Sequence, residues 1–183
     1  MRPATITDPS GRILRFIARA TTTAYANDSI KTISTDLTTV EVIVSDGTLV
    51  SRGSQWGHVA IEVNGRVYSR SHSTYYVATD KAKYLADNSY RDNVGLVLRV
   101  SPAEKLTVSH ELEKRVNENK PYNILSNSCS TNVADVLELI GILAHDPRFQ
   151  VSPQSTDEVS PKEVLLVVSR SSRLAKRVEY IKK

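Results

Sequence analysis

A chain of 183 residues with 40% apolar and 24% charged side chains is long enough to bury a core without disulfides or a structural metal, and its composition is that of a soluble globular protein. No apolar run approaches the roughly 18–20 residues of a membrane span, so stable membrane insertion is not expected. The formal net charge of +4 is concentrated at the end, where Arg170, Arg173, Lys176, Arg177, Lys182 and Lys183 stand against Glu179 alone.

In chain order, the opening MRPATITDPSGRILRF has no apolar stretch of an export signal, which predicts synthesis in the cytoplasm and, for a secreted protein, a non-classical route. Arg12 to Ala20, with Ile13, Leu14, Phe16 and Ile17, reads as weakly helical. Thr21 to Thr39, rich in Thr, Ser, Asp and Asn, reads as loop with short turns. Thr39 to Ser45 alternates and is rich in β-branched residues, so it is a strand, and Asp46-Gly47 turns it. Asn64-Gly65 between two alternating runs predicts a tight hairpin. A two-residue turn pairs Val63 with Arg66, Ala60 with Ser69 and His58 with Ser71, which puts His58, Ala60, Val67, Ser69 and Ser71 on one face. A short helix over Asp80–Asn88 and a strand over Val94–Val100 follow.

Ser101-Pro-Ala-Glu104 and Ser160-Pro-Lys-Glu163 both match a capping box with Pro at the first helical position. Between them Ser128 or a neighbour caps a helix from Cys129 to about Ile140, closed by Gly141. The basic run after Arg170 reads as a solvated terminal helix rather than a nucleic-acid surface, because aromatic residues do not interleave with it. Strands first and helices later predict an α+β fold. The chain is expected to be one domain, 1–183, with 170–183 as the basic tail. Residues 1–50 form an N-terminal extension whose role stays open between export signal, lid and part of the sheet.

Cys129 is the single cysteine, so no internal disulfide can form and a reducing compartment of synthesis is expected. The four histidines lack metal-ligand spacing, and neither a metal nor another cofactor is expected. A thiol at the first turn of a helix meets unpaired N–H groups and positive partial charge, which favour the thiolate. The same residue type is often a small buried filler, so the helix start alone decides nothing. Among the histidines, His110 belongs to the Ser101 helix, His145 to a loop, and His72 points away from His58 by alternation. His58 begins an apolar strand and is the one with reason to face a cleft.

The segment Trp56-Gly-His-Val-Ala-Ile-Glu-Val-Asn-Gly-Arg-Val-Tyr-Ser and, later, Pro121-Tyr-Asn-Ile-Leu-Ser-Asn-Ser-Cys-Ser-Thr-Asn-Val-Ala-Asp together resemble the circularly permuted branch of the NlpC/P60 papain-like superfamily, which includes the lecithin:retinol acyltransferase-like proteins. In that branch the His strand precedes the Cys helix, and the likeness spans roughly Trp56 to Val168. It implies a papain-like fold, a small antiparallel sheet packed on a helix with the Cys at its N-terminus. It also implies Cys129 as nucleophile and His58 as general base. The third, ring-orienting position falls on Ser69 by motif and on Ser71 by hairpin register, with His72 open if the strand bulges. Glu62 shares the His58 face but lies about 13 Å along the strand. The resemblance further implies a cysteine peptidase or amidase acting on peptidoglycan peptide. Small members of this order are similar to type VI secretion effectors, toxins paired with an immunity protein. Two alternatives stay open: a lipid esterase or acyltransferase of the same superfamily, and a non-enzymatic, host-directed binding module that uses the basic tail.

Overall fold

The computed structural model describes residues 5–7, 13–16, 21–26, 29–34, 38–47, 56–71, 77–124, 126–146, 148 and 159–182, the first four stretches as backbone. The chain parts into two compact units, Met1–Thr38 and Thr39–Lys183. The boundary therefore falls before the Thr39 strand rather than near residue 50.

The first unit is a four-stranded antiparallel meander of β1 (Thr5–Thr7), β2 (Ile13–Phe16), β3 (Thr21–Ala26) and β4 (Ser29–Ser34), paired in chain order. This corrects both expectations for the region. The segment around Ile13 is a strand, not a helix, and the Thr-rich stretch is a hairpin in which Ala26 pairs with Ser29 and Thr21 with Ser34. Threonine is β-branched as well as polar, and here its strand propensity outweighs its polarity.

The second unit is α+β. Its strands are β5 (Thr38–Ser45), β6 (His58–Val63), β7 (Arg66–Ser69), β8 (Val77–Asp80), β9 (Asn93–Val100) and β10 (Leu174–Tyr180), and its helices α1 (Lys81–Asp87), α2 (Pro102–Glu118), α3 (Cys129–Glu138) and α4 (Pro161–Val168). The strands form one antiparallel sheet in the order β10-β9-β5-β6-β7-β8. The hairpin has the expected register, Val63 with Arg66 and Ala60 with Ser69, and Asn64 and Gly65 carry the positive φ of a tight turn. The terminal basic segment is a strand, not a helix. It pairs with β9 at the sheet edge, a place where charged side chains discourage further pairing.

The two faces of the sheet differ. On one, Val40, Val42, Val44, Val59, Ile61, Val63, Leu96, Leu98 and Val100 meet Val108 and Leu112 of α2, Val133, Val136 and Leu137 of α3, and Val164 and Val168 of α4. On the other, Ile43, Ala60 and Val67 are covered by Tyr84 of α1. That second face also holds a buried carboxylate. Glu41 of β5 is paired with Lys81 through a short contact and accepts from Tyr180 Oη at 2.7 Å. Burial pushes the Lys81 ammonium down, but Glu41 outweighs it and holds it above its ordinary value.

The helix starts follow their local chemistry. Ser101 caps α2 with a complete capping box closed by Glu104, and Ser128 caps α3 with one closed by Thr131. At Ser160 the box is one-sided. Ser160 Oγ accepts from Glu163 N, but Glu163 is fully buried and turns instead to the loop after α3, accepting from Asp146 N at 2.9 Å and facing His145 Nδ1 at 2.7 Å. No helix among the described residues is long and apolar enough to cross a membrane.

Candidate active site

His58 and Cys129 come from opposite layers of the second unit. α3 packs on the face that carries Val59 and Ile61, whereas strand alternation turns His58 toward the other face. They meet because the β6–β7 ladder ends at the pair Ala60–Ser69. Just beyond that pair the Val59 N–H no longer serves the ladder and donates to the Cys129 sulfur. The sulfur, half-buried at the first position of α3, thus sits where two strands separate, beside the His58 ring.

Gly57 lets the strand enter at this point. Its φ is +83°, and a Cβ there would lie 2.7 Å from the Ser45 carbonyl oxygen, so a side chain before His58 would push β6 off β5.

The electrostatics favour the thiolate. Burial pushes the thiol up from its ordinary 9.0. The His58 imidazole, the Val59 N–H and the Ser130 hydroxyl outweigh burial and bring it down to about 7. Ser130 Oγ lies 3.7 Å from the sulfur. The first turn of α3 adds its positive end. Ser128 Oγ accepts from Thr131 N, which leaves the Cys129 and Ser130 N–H groups for a negative charge growing nearby.

Among the described residues the ring bonds the Cys129 sulfur and, through Nε2, Ser69 Oγ at 2.6 Å. With Nε2 engaged, Nδ1 is the nitrogen left for the thiol. Ser69 is buried, so the bond is shielded from water. Ser71 lies two residues past the last ladder pair, Ala60 with Ser69. The backbone leaves the ladder at Arg70, whose Nη2 donates to Lys120 O at 2.7 Å and whose guanidinium covers the Tyr122 ring. His72 lies outside the described residues. His110 is exposed on α2, and Glu62 accepts from the Gly65 N–H in the hairpin, away from the ring.

Sequence reasoning did not single out the residues that hold the Cys helix in place. Asn127 Nδ2 donates to Lys120 O and Pro121 O, and Asn127 Oδ1 accepts from Asn132 Nδ2 at 2.7 Å. Arg115 of α2 donates to Asn132 Oδ1 at 2.8 Å. Arg70 grips the same Lys120 carbonyl, so the strand that supplies the ring's partner also anchors the loop leading to the sulfur. The one local signal was the dense Asn and Ser content of 123–132, typical of side chains that bond nearby backbone.

Ser69→Ala is expected to slow iodoacetamide alkylation of Cys129 at pH 7 about fivefold, the scale of one hydrogen bond. An unchanged rate shows that Ser69 does not hold the ring where the sulfur needs it.

No family model, no curated protein and no solved structure matches the chain. No cluster of three or more potential metal ligands occurs among the described residues.

Proposed function

We propose that the chain is a cysteine hydrolase, with Cys129 as nucleophile and His58 as the group that takes and returns its proton. One observation carries this reading: an acidified thiol at the start of α3 beside an imidazole whose far nitrogen is held by Ser69. The helix carrying the Cys, packed on an antiparallel sheet that supplies the His from an earlier strand, supports a permuted papain-like arrangement.

The thiolate attacks a carbonyl carbon, the C=O electrons move to oxygen, and the Cys129 and Ser130 N–H groups receive that charge. The C–N bond breaks, His58 gives its proton to the departing amine, and an acyl-thioester remains. Water, deprotonated by His58, attacks the thioester, the C–S bond breaks, and a carboxylate leaves as the thiol is restored.

The substrate in this proposal is an amide of peptidoglycan peptide. The setting is an effector delivered into a neighbouring cell, with an immunity protein as partner.

Thiol alkylation by iodoacetamide against pH tests the central pair. Reactivity should rise with a midpoint near 7, because a lowered thiol pKa moves thiolate formation to lower pH. In His58→Ala the midpoint should move back up toward the ordinary 9.0, since His58 is the main group holding it down. A wild-type midpoint at that ordinary value removes the activated pair, and with it the hydrolase.

A further inference from the structure

Asn132 sits in the first turn of α3, three residues after the sulfur, and is buried. Its amide is engaged at both ends. Nδ2 donates to Asn127 Oδ1 at 2.7 Å and to Ser128 O at 2.7 Å, and Oδ1 accepts from Arg115 Nη1 at 2.8 Å. Chemistry fixes which way round the amide stands. A guanidinium donates and never accepts, so it turns the amide oxygen toward itself and the NH2 toward Ser128. Arg115 is itself held by two carboxylates. Nε donates to Glu111 Oε1 of α2 at 2.8 Å, and Nη1 donates to Asp135 Oδ2 of α3 at 3.4 Å.

The Ser128 carbonyl accepts from three donors: Asn132 N at 3.2 Å, Asn132 Nδ2 at 2.7 Å and Thr131 Oγ1 at 3.2 Å. The first of these is the ordinary opening bond of a helix, and the other two come from side chains. This carbonyl shares one rigid plane with the Cys129 N–H, which points the opposite way. Whatever fixes the oxygen therefore fixes the direction of the N–H. Bonds accepted by the carbonyl also polarise the peptide and strengthen its N–H as a donor. That N–H is one of the two that receive the oxyanion charge in the proposed reaction.

We propose that Asn132, oriented by Arg115, is a positioning residue that aims the Ser128–Cys129 peptide at the substrate's oxyanion. The proposal rests on the hydrolase reading and gives α2, which supplies no group to the chemistry, a part in it. Neither residue touches substrate. Without the Nδ2 bond the peptide plane loses its shortest tether, and the Cys129 N–H loses its fixed aim.

Two reagents that meet the same sulfur separate aim from fold. With p-nitrophenyl acetate the thiolate attacks a carbonyl carbon and an oxyanion forms. The C–O bond then breaks, p-nitrophenolate leaves, and the acetyl group stays on sulfur. With iodoacetamide the sulfur bonds to the CH2 carbon, iodide leaves, and no oxyanion forms. The ratio of the two rates cancels any change in the thiolate fraction. A merely structural loss slows both reagents together and leaves the ratio where it was. Asn132→Ala should lower the ester-to-iodoacetamide ratio about tenfold, the worth of one hydrogen bond. Arg115→Met should lower it less, in the same direction. An unchanged ratio in folded Asn132→Ala overturns the positioning role. If Asn132→Ala does not fold, Arg115→Met at its half-buried position is read alone, and an unchanged ratio there overturns it. The wild-type ratio is also set against that of N-acetylcysteine. A protein ratio no higher than that of the free thiol strikes the oxyanion donors and the hydrolase reading instead, and the two failures are told apart.

Discussion

For the proposed hydrolase, Cys129→Ala is expected to lower amide hydrolysis by at least about a thousandfold, since loss of the proposed nucleophile leaves only the residual effect of binding and oxyanion stabilisation. The fold should survive. The side chain is half-buried, alanine is a good helix former, and the Ser128–Thr131 cap that starts α3 does not use the sulfur. Cys129→Ser separates chemistry from shape, because it keeps a small polar group but offers a poorly acidic hydroxyl. The measurement is product release from purified muropeptides by chromatography, with circular dichroism melts as the control for folding. Muropeptides cleaved equally by wild type and Cys129→Ala would place any activity elsewhere in the chain.

The second large effect is on stability. Gly95→Ala is expected to cost about 3 kcal/mol, the scale of breaking one buried ion pair. A Cβ on Gly95 would stand 1.8 Å from Glu41 Oε1 and 2.8 Å from its carboxyl carbon. Carboxylate tips usually swing aside, but this one is 2% exposed and held by Lys81 and by the Tyr180 hydroxyl. Moving it breaks both contacts without reaching water. The Tyr180 phenol is itself raised, by burial first and then by the Glu41 carboxylate that it bonds. Urea unfolding measures the loss. Glu41→Ala in the same chain should make Gly95→Ala much less costly, since only the Tyr180 ring at 3.0 Å then crowds the new Cβ, and this non-additivity identifies the contact. Simple additivity of the two losses would show that Gly95 matters for some other reason.

The elements that the sequence announces are those whose signals are local. Asn64-Gly65 names its own turn, and Ser101-Pro-Ala-Glu104 its own cap, because each acts within four residues. The strands of the first unit escaped because Thr21–Thr23 and Thr32 read as polar before they read as β-branched. β10 escaped because an edge strand carrying Lys176 and Arg177 has the composition of a solvated helix, and only its pairing with β9 distinguishes them. The orientation of His58 was half legible. The hairpin fixes Ser69 opposite Ala60, but where the ladder stops depends on Arg70 reaching Lys120, a contact fifty positions away.

The position of the sulfur also bears on its fate under oxidative stress. A thiolate populated at neutral pH is the form that peroxide attacks, giving a sulfenic acid. No second thiol exists in the chain to capture that species as a disulfide. Repair then falls to a small thiol from the surroundings, and without one the sulfur climbs to the irreversible sulfinic and sulfonic states.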